Sequence, residues 1–159
     1  VKPKQPRSVQ VVVFSDGEAG RQYLLLRRVV GEDRFWQFVT GSLEEGETHR
    51  QAAIRELREE TGIEAREDEL LDLGLVNVFE IAPQWLPFYR PGTTHNEEVC
   101  FAIGVNKCEV WLDPREHDLY VWVGPGLAAQ MLHWESSKRA LAAAQQIKSS
   151  GPSRSGSGC

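Results

Sequence analysis

Cysteine is scarce in this chain of 159 residues: there are three, and no two fall in a Cys-x-x-Cys pair. The spacing argues against a zinc site and the odd count against a disulfide framework, so Cys100, Cys108 and Cys159 are expected as reduced thiols. Long apolar runs are missing as well. No stretch approaches the ~20 residues that cross a bilayer, and the opening VKPKQPRS lacks the apolar core of a signal peptide. Basic charge is not in excess, with 18 Lys and Arg against 23 Asp and Glu and a formal net charge of −5. Neither nucleic acid nor a membrane surface is therefore an expected partner, and a cytoplasmic location is expected. The closing SSGPSRSGSGC has no aliphatic side chain to offset the entropy of ordering, which predicts a disordered tail over 149–159. No internal repeat is visible, and nothing in the sequence specifies an oligomeric state.

What remains is ordinary material for one globular domain over residues 1–148, with 41% hydrophobic and 26% charged residues. Val9 to Phe14 (VQVVVF) and Tyr23 to Leu26 (YLLL) read as strands joined by a turn through Asp16-Gly17 and Gly20. Phe35 to Thr40 (FWQFVT) reads as a third strand, and Gly41 to Gly46 as a loop. A less regular stretch follows from Leu70 to Phe79, then strands at Val99 to Val105 and Tyr120 to Val123. A last helix from about Leu127 to Ile147 turns Leu132, Ala140, Leu141 and Ala144 toward the core. Strands interrupted by one helix and closed by another predict an α/β fold, a mixed sheet covered on both faces in an α/β/α sandwich.

The chemistry concentrates between Gly41 and Gly62. Thr48 and Gln51 have capping-box spacing, and Ala53, Ile54 and Leu57 recur at helical intervals, which predicts a helix from about Thr48 to Thr61. On it Glu56, Glu59 and Glu60 stand at i, i+3 and i+4, three carboxylates on one patch. Like charges so placed repel, and Arg55, four residues before Glu59, relieves only part of the repulsion. A divalent cation would reverse the sign of that cost. Oxygen-only ligands suit a hard ion such as Mg²⁺ or Mn²⁺.

Gly41, Glu47, Arg55-Glu56-Leu57, Glu59-Glu60 and Gly62-Ile63 together fit G-x5-E-x7-R-E-U-x-E-E-x-G-U (U aliphatic), and the chain thereby resembles the Nudix hydrolases. The resemblance implies the Nudix fold and metal-dependent hydrolysis of a diphosphate bond. Further segments, FWQFVTGSLEEGET, Phe79-Glu80-Ile81, YRPGTTHNEE from Tyr89 to Glu98 and Glu116-His117-Asp118-Leu119-Tyr120-Val121-Trp122, are similar to a bacterial subfamily of dihydroneopterin triphosphate pyrophosphohydrolases. That resemblance implies metal ligation by Glu56, Glu60 and Glu116. It implies substrate contacts from Lys4, Arg27, Thr40, the Phe79, Glu80, Ile81, Ala82 run around the ring, and His133. For catalysis it implies Arg55 with Glu59 or Glu60 near the water, while Glu98 is the base candidate outside the box. The chain departs from the subfamily at His133-Trp134-Glu135-Ser136.

The implied reaction is release of diphosphate from dihydroneopterin triphosphate, a step in folate synthesis, and the implied partner is a small-molecule triphosphate. Two other readings stand beside it. One is a broader (deoxy)nucleoside triphosphate pyrophosphatase acting on dATP-like purines. The other is a catalytically silent ligand sensor, which would have no need of an intact acidic box.

Overall fold

A computed structural model describes residues 2–149. All of the tail expected from Ser149 onward except that serine lies outside the described residues. The two longest strands, β1 (Arg7–Gly17) and β2 (Gly20–Val30), carry the VQVVVF and YLLL runs and are buried along them. Aliphatic and β-branched side chains suit strands covered on both faces. The two strands pair only near their shared turn, from Phe14 opposite Tyr23 to Gly17 opposite Gly20. Beyond it each takes a different partner.

That parting divides the strand expected over Phe35 to Thr40 into two. Asp33–Gln37 (β3) pairs with β2, whereas Val39–Ser42 (β4) pairs with β1, and the fully buried Phe38 lies at the changeover. Gly41 and Ser42 accordingly belong to β4 and not to the loop their sequence suggests. They are held there by ladder pairing of Gly41 with Val9 and of Ser42 with Ser8.

β5 (Leu71–Glu80), β6 (His95–Gly104) and β7 (His117–Val123) complete a seven-stranded mixed sheet. Its order is β3-β2-β1-β6-β5, with β4 also on β1 and β7 also on β2. Only β1 and β6 run parallel. Alternation along β1 sends Val9, Val11 and Val13 into one core and Val12 and Phe14 into another. The first core contains Ala52, Ala53 and Leu57 of α1 (His49–Thr61). The second contains Ala128 of α2 (Pro125–Met131) and Ala140, Leu141 and Ala144 of α3 (Glu135–Gln145). The expected α/β/α sandwich is what the chain forms.

Thr48 caps α1 through the reciprocal box with Gln51. The helix ends at Gly62, whose φ of 81° is left-handed and whose N–H donates to Arg58 O at 2.9 Å. The single terminal helix expected from Leu127 is instead the pair α2 and α3. The break falls where Leu132 bridges to Trp36 and the His133 N–H donates to Trp36 O at 3.1 Å, so the sheet captures the backbone that would have continued the helix. Among the described residues no helix is long and apolar enough to cross a membrane. Cys100 is a free thiol, pushed up to about 12 chiefly by burial. Cys159, expected as a thiol with the others, lies outside the described residues.

Candidate active site

Gly41 explains why the box begins with glycine. A Cβ built there would lie 2.1 Å from Glu56 Cδ and 2.2 Å from its Oε1, so the carboxyl of Glu56 occupies the space any other residue would fill. The same oxygen of that carboxyl accepts from Arg55 Nη1 at 2.8 Å. Arg55 also grips Glu47 with two bonds of 2.7 and 2.8 Å, reaches Glu59 at 3.2 Å and donates to Ser42 O at 3.0 Å. One guanidinium thus joins the end of β4, the following loop and the helix. Its hydrogen bonds hold the Glu47 carboxyl below the usual range.

Glu60 is buried one turn further along α1. Its Oε1 is 3.4 Å from the Thr40 nitrogen, and the Glu56 carboxyl is its neighbour one turn back on the helix. Burial pushes Glu60 well up from the ordinary glutamate value, and the charges of Glu56 and Glu116 push the same way. Glu56 is raised too, again mainly by burial. His117 Nε2 lies 3.9 Å from Glu60 Oε1 and 3.3 Å from Gln37 Nε2. Burial first, then Arg28, depresses the imidazole to about 4, so it is neutral and cannot serve as the missing cation.

Thr40 faces a second buried carboxyl. Glu98 Oε1 accepts from Gln10 Nε2 at 2.8 Å and Asn77 Nδ2 at 3.1 Å, while its Oε2 stands 3.5 Å from the Thr40 hydroxyl. Burial raises Glu98, and the neutral donors hold that rise down. Glu56, Glu60, Thr40 and Glu98 are therefore brought together. Glu59 is exposed, shares Arg55 Nη1 with Glu56, and borders a cavity of about 670 Å³ with Asp113, Arg115 and Glu116. Glu116, expected as a ligand beside Glu56 and Glu60, is drawn to Arg28 at 3.8 Å. Among the described residues no trio of acidic, His or Cys side chains already stands in metal-holding geometry.

The residues expected at the substrate divide. Arg27 forms a two-pronged pair with Asp118 at 2.8 Å for each bond, and Arg34 approaches the same carboxylate at 3.3 Å. Lys4 is exposed, its N–H donating to Phe88 O at 2.7 Å and its ammonium lying 6.0 Å from the Trp85 ring centre. A cavity of about 540 Å³ is lined by Val30, Asp33, Arg34, Phe35, Gln84, Trp85, His133 and Trp134. His133 belongs to it, tilted against Phe35 at 5.0 Å between ring centres. The Phe79–Ala82 run does not: Phe79 and Glu80 end β5 exposed, Ile81 turns into the protein, and the chain reaches the cavity only at Gln84 and Trp85.

Four buried polar residues escaped the sequence reading as site residues: Gln10, Gln37, Asn77 and His117. For Gln10 in VQVVVF and Asn77 in LVNVF a signal existed, a lone polar side chain inside an apolar strand, which burial makes costly unless it meets a partner. Gln37 and His117 lay inside quoted motifs but had no visible mate.

The paired carboxyls fit a hard divalent cation on the geometry of the fold itself. Two carboxyls, one buried and one half-buried, stand one turn apart on α1 with their charges opposing each other, and the Gly41 cradle leaves no room for a side chain beside Glu56. Comparison with known proteins agrees. Residues 4–144 match the NUDIX domain. The chain is 36% identical over 140 residues to the dihydroneopterin triphosphate diphosphatase of Escherichia coli K12, covering 87% of this chain and 91% of that one. It is 34% identical to the Haemophilus influenzae protein of the same name, over 87% of this chain and 86% of the relative. The solved E. coli dihydroneopterin triphosphate pyrophosphohydrolase superposes with a TM-score of 0.77 at 34% identity, covering 89% and 95% of the two chains.

Proposed function

The chain belongs to the Nudix hydrolase family, enzymes that act on phosphoric anhydrides, and from that premise we propose that it cleaves dihydroneopterin triphosphate to the monophosphate and diphosphate using Mg²⁺, with Mn²⁺ able to replace it. The observation that carries the chemistry is the Glu56–Glu60 pair seated on Gly41. The substrate is supported by similarity along nearly the whole chain to relatives named for it. A cytoplasmic setting and a role in folate synthesis belong to the same proposal.

Glu56 and Glu60 would hold the ion, with Glu116 as the third ligand once free of Arg28. Such an ion would supply charge compensation at the phosphate oxygens and a more acidic attacking water. Glu98 takes the proton from that water through Oε2, the oxygen that Gln10 and Asn77 leave to a long 3.5 Å contact with the Thr40 hydroxyl. A carboxyl raised by burial is a better base than an exposed one. Glu59 is less suited to that role because it is exposed and held by Arg55. The proton goes to the carboxylate, the water oxygen bonds to phosphorus, and the bond from phosphorus to the leaving diphosphate oxygen breaks. Arg27 and Arg34 exchange Asp118 for phosphate oxygens, and the aromatic cavity around Phe35, Trp85 and Trp134 receives the flat ring.

The test is kcat/KM measured side by side on dihydroneopterin triphosphate, dATP, ADP-ribose and a dinucleoside polyphosphate. The pterin triphosphate is expected to lead, with diphosphate and monophosphate as products. An equal or higher value for dATP defeats the substrate assignment in favour of the broader nucleotide reading, and release of single phosphates defeats the proposed bond cleavage.

A further inference from the structure

Glu98 is a buried carboxylate that accepts from the neutral side chains of Gln10 and Asn77, and behind Asn77 stands the guanidinium of Arg139 on α3. Arg139 Nε donates to Asn77 Oδ1 at 2.9 Å, and Asn77 Nδ2 in turn donates to Glu98 Oε1 at 3.1 Å. The line continues from Glu98 Oε2 to the Thr40 hydroxyl, and the Thr40 N–H meets Glu60. We propose that Arg139 is a positioning residue for hydrolysis, acting through Asn77 to fix which oxygen of Glu98 is occupied and which is free.

The two ends of a carboxamide are alike in shape and opposite in hydrogen bonding. Only the nitrogen end can face a carboxylate. By taking the oxygen of Asn77, Arg139 makes that orientation the one of lowest energy and passes part of its charge to Glu98 through the amide dipole. Asn77 and Gln10 then both spend their donors on Oε1. Oε2 is left toward Thr40, where the water's proton must arrive. Without Arg139 the amide is held at one end only, so Asn77 and the Glu98 carboxyl bonded to it are free to rotate. Asn77 also lies 3.3 Å from Cys100 Sγ, a neutral thiol that adds no charge to the arrangement.

This rests on the hydrolytic reading of the site, and the experiment separates the two. Arg139→Met and Asn77→Leu should each lower kcat by about tenfold, at the lower edge of the 10–100-fold typical of residues that orient others, with KM within about twofold. In a Glu98→Gln background Arg139→Met should have no further effect. Side-chain amide NMR supplies a readout independent of turnover. The Asn77 NH₂ protons should exchange slowly with solvent in the parent and at least about tenfold faster in Arg139→Met, with melting temperatures checking that both remain folded. A parent that releases no diphosphate from any triphosphate defeats the hydrolytic reading, while the amide signals still decide whether Arg139 orders Asn77. Unchanged kcat in Arg139→Met, an equal loss in the Glu98→Gln background, or unaltered Asn77 exchange overturns the positioning role.

Discussion

Glu60 and Glu98 are both buried, and both approach Thr40, one at its backbone N–H and the other at its hydroxyl. Their surroundings are otherwise opposite. Glu98 has Gln10 and Asn77 as neutral donors, whereas Glu60 has another carboxyl for a neighbour, one long N–H contact and the field of Glu116. Burial is common to the two and so does not mark an ion site; the shortage of donors does. Neutral donors already stand on one carboxyl, whereas the other would need a cation to offset its burial.

The largest effect expected from this contrast is that of Glu60→Gln. Turnover should fall to the assay background and metal-induced stabilisation should vanish, while the metal-free protein melts higher because a repulsive buried charge is gone. Calorimetry with and without Mg²⁺ checks both halves. Glu98→Gln should separate them, lowering kcat by about 10²-fold, as loss of a general base does, yet leaving the metal-induced rise in melting temperature intact. If it abolished that rise, Glu98 would be a ligand and the contrast would collapse.

Gly41→Ala comes next. Its Cβ would displace the Glu56 carboxyl, so metal affinity should drop by about 10–100-fold, while the sheet survives because β4 pairing uses only the backbone. Isothermal titration with Mg²⁺ and Mn²⁺ measures it.

The smallest effect is a pH slope. Glu56, Glu60 and Glu98 are raised in the fold, so above the ordinary glutamate value of 4.5 the folded chain keeps protons that the unfolded chain has lost. Stability without metal should therefore grow as pH falls from neutral toward 4.5. His117 opposes this between 6.5 and about 4, where only the unfolded chain takes up a proton. Asp16, Glu47, Asp113 and Asp118, lowered by arginine neighbours, act below the window. Three carboxyls against one imidazole leave a net gain on acidification, and melting curves across that range should show it shrink in Glu60→Gln.

The acidic helix was legible because its information is local: a capping box, a 3.6-residue period and a terminating glycine all lie within the segment they shape. The order of side chains around Thr40 was not. Glu98 and Gln10 are separated by 88 positions, and Asn77 meets Arg139 across 62, so only the sheet register makes them neighbours. The Phe35 to Thr40 strand failed for the same reason. Its residues suit a strand throughout, and the change of partner at Phe38 is imposed by where β1 and β2 part. Nor was it legible that Phe79 to Ala82 stop short of the aromatic cavity, which Gln84 and Trp85 line instead, because the end of β5 is fixed by pairing with β6 and not by its own composition.

Arg55 was read for its electrostatics, but it also acts as a mechanical tie. It clasps Glu47 and Ser42 from the helix, while the Glu44 N–H donates to Glu47 Oε1 and the Glu47 N–H to Glu44 O. The loop after β4 therefore has no opening motion of its own. In deuterium its amides should exchange in step with those of α1, as parts of a single cooperative unit, although the stretch Leu43-Glu44-Glu45-Gly46-Glu47 reads as an ordinary surface loop.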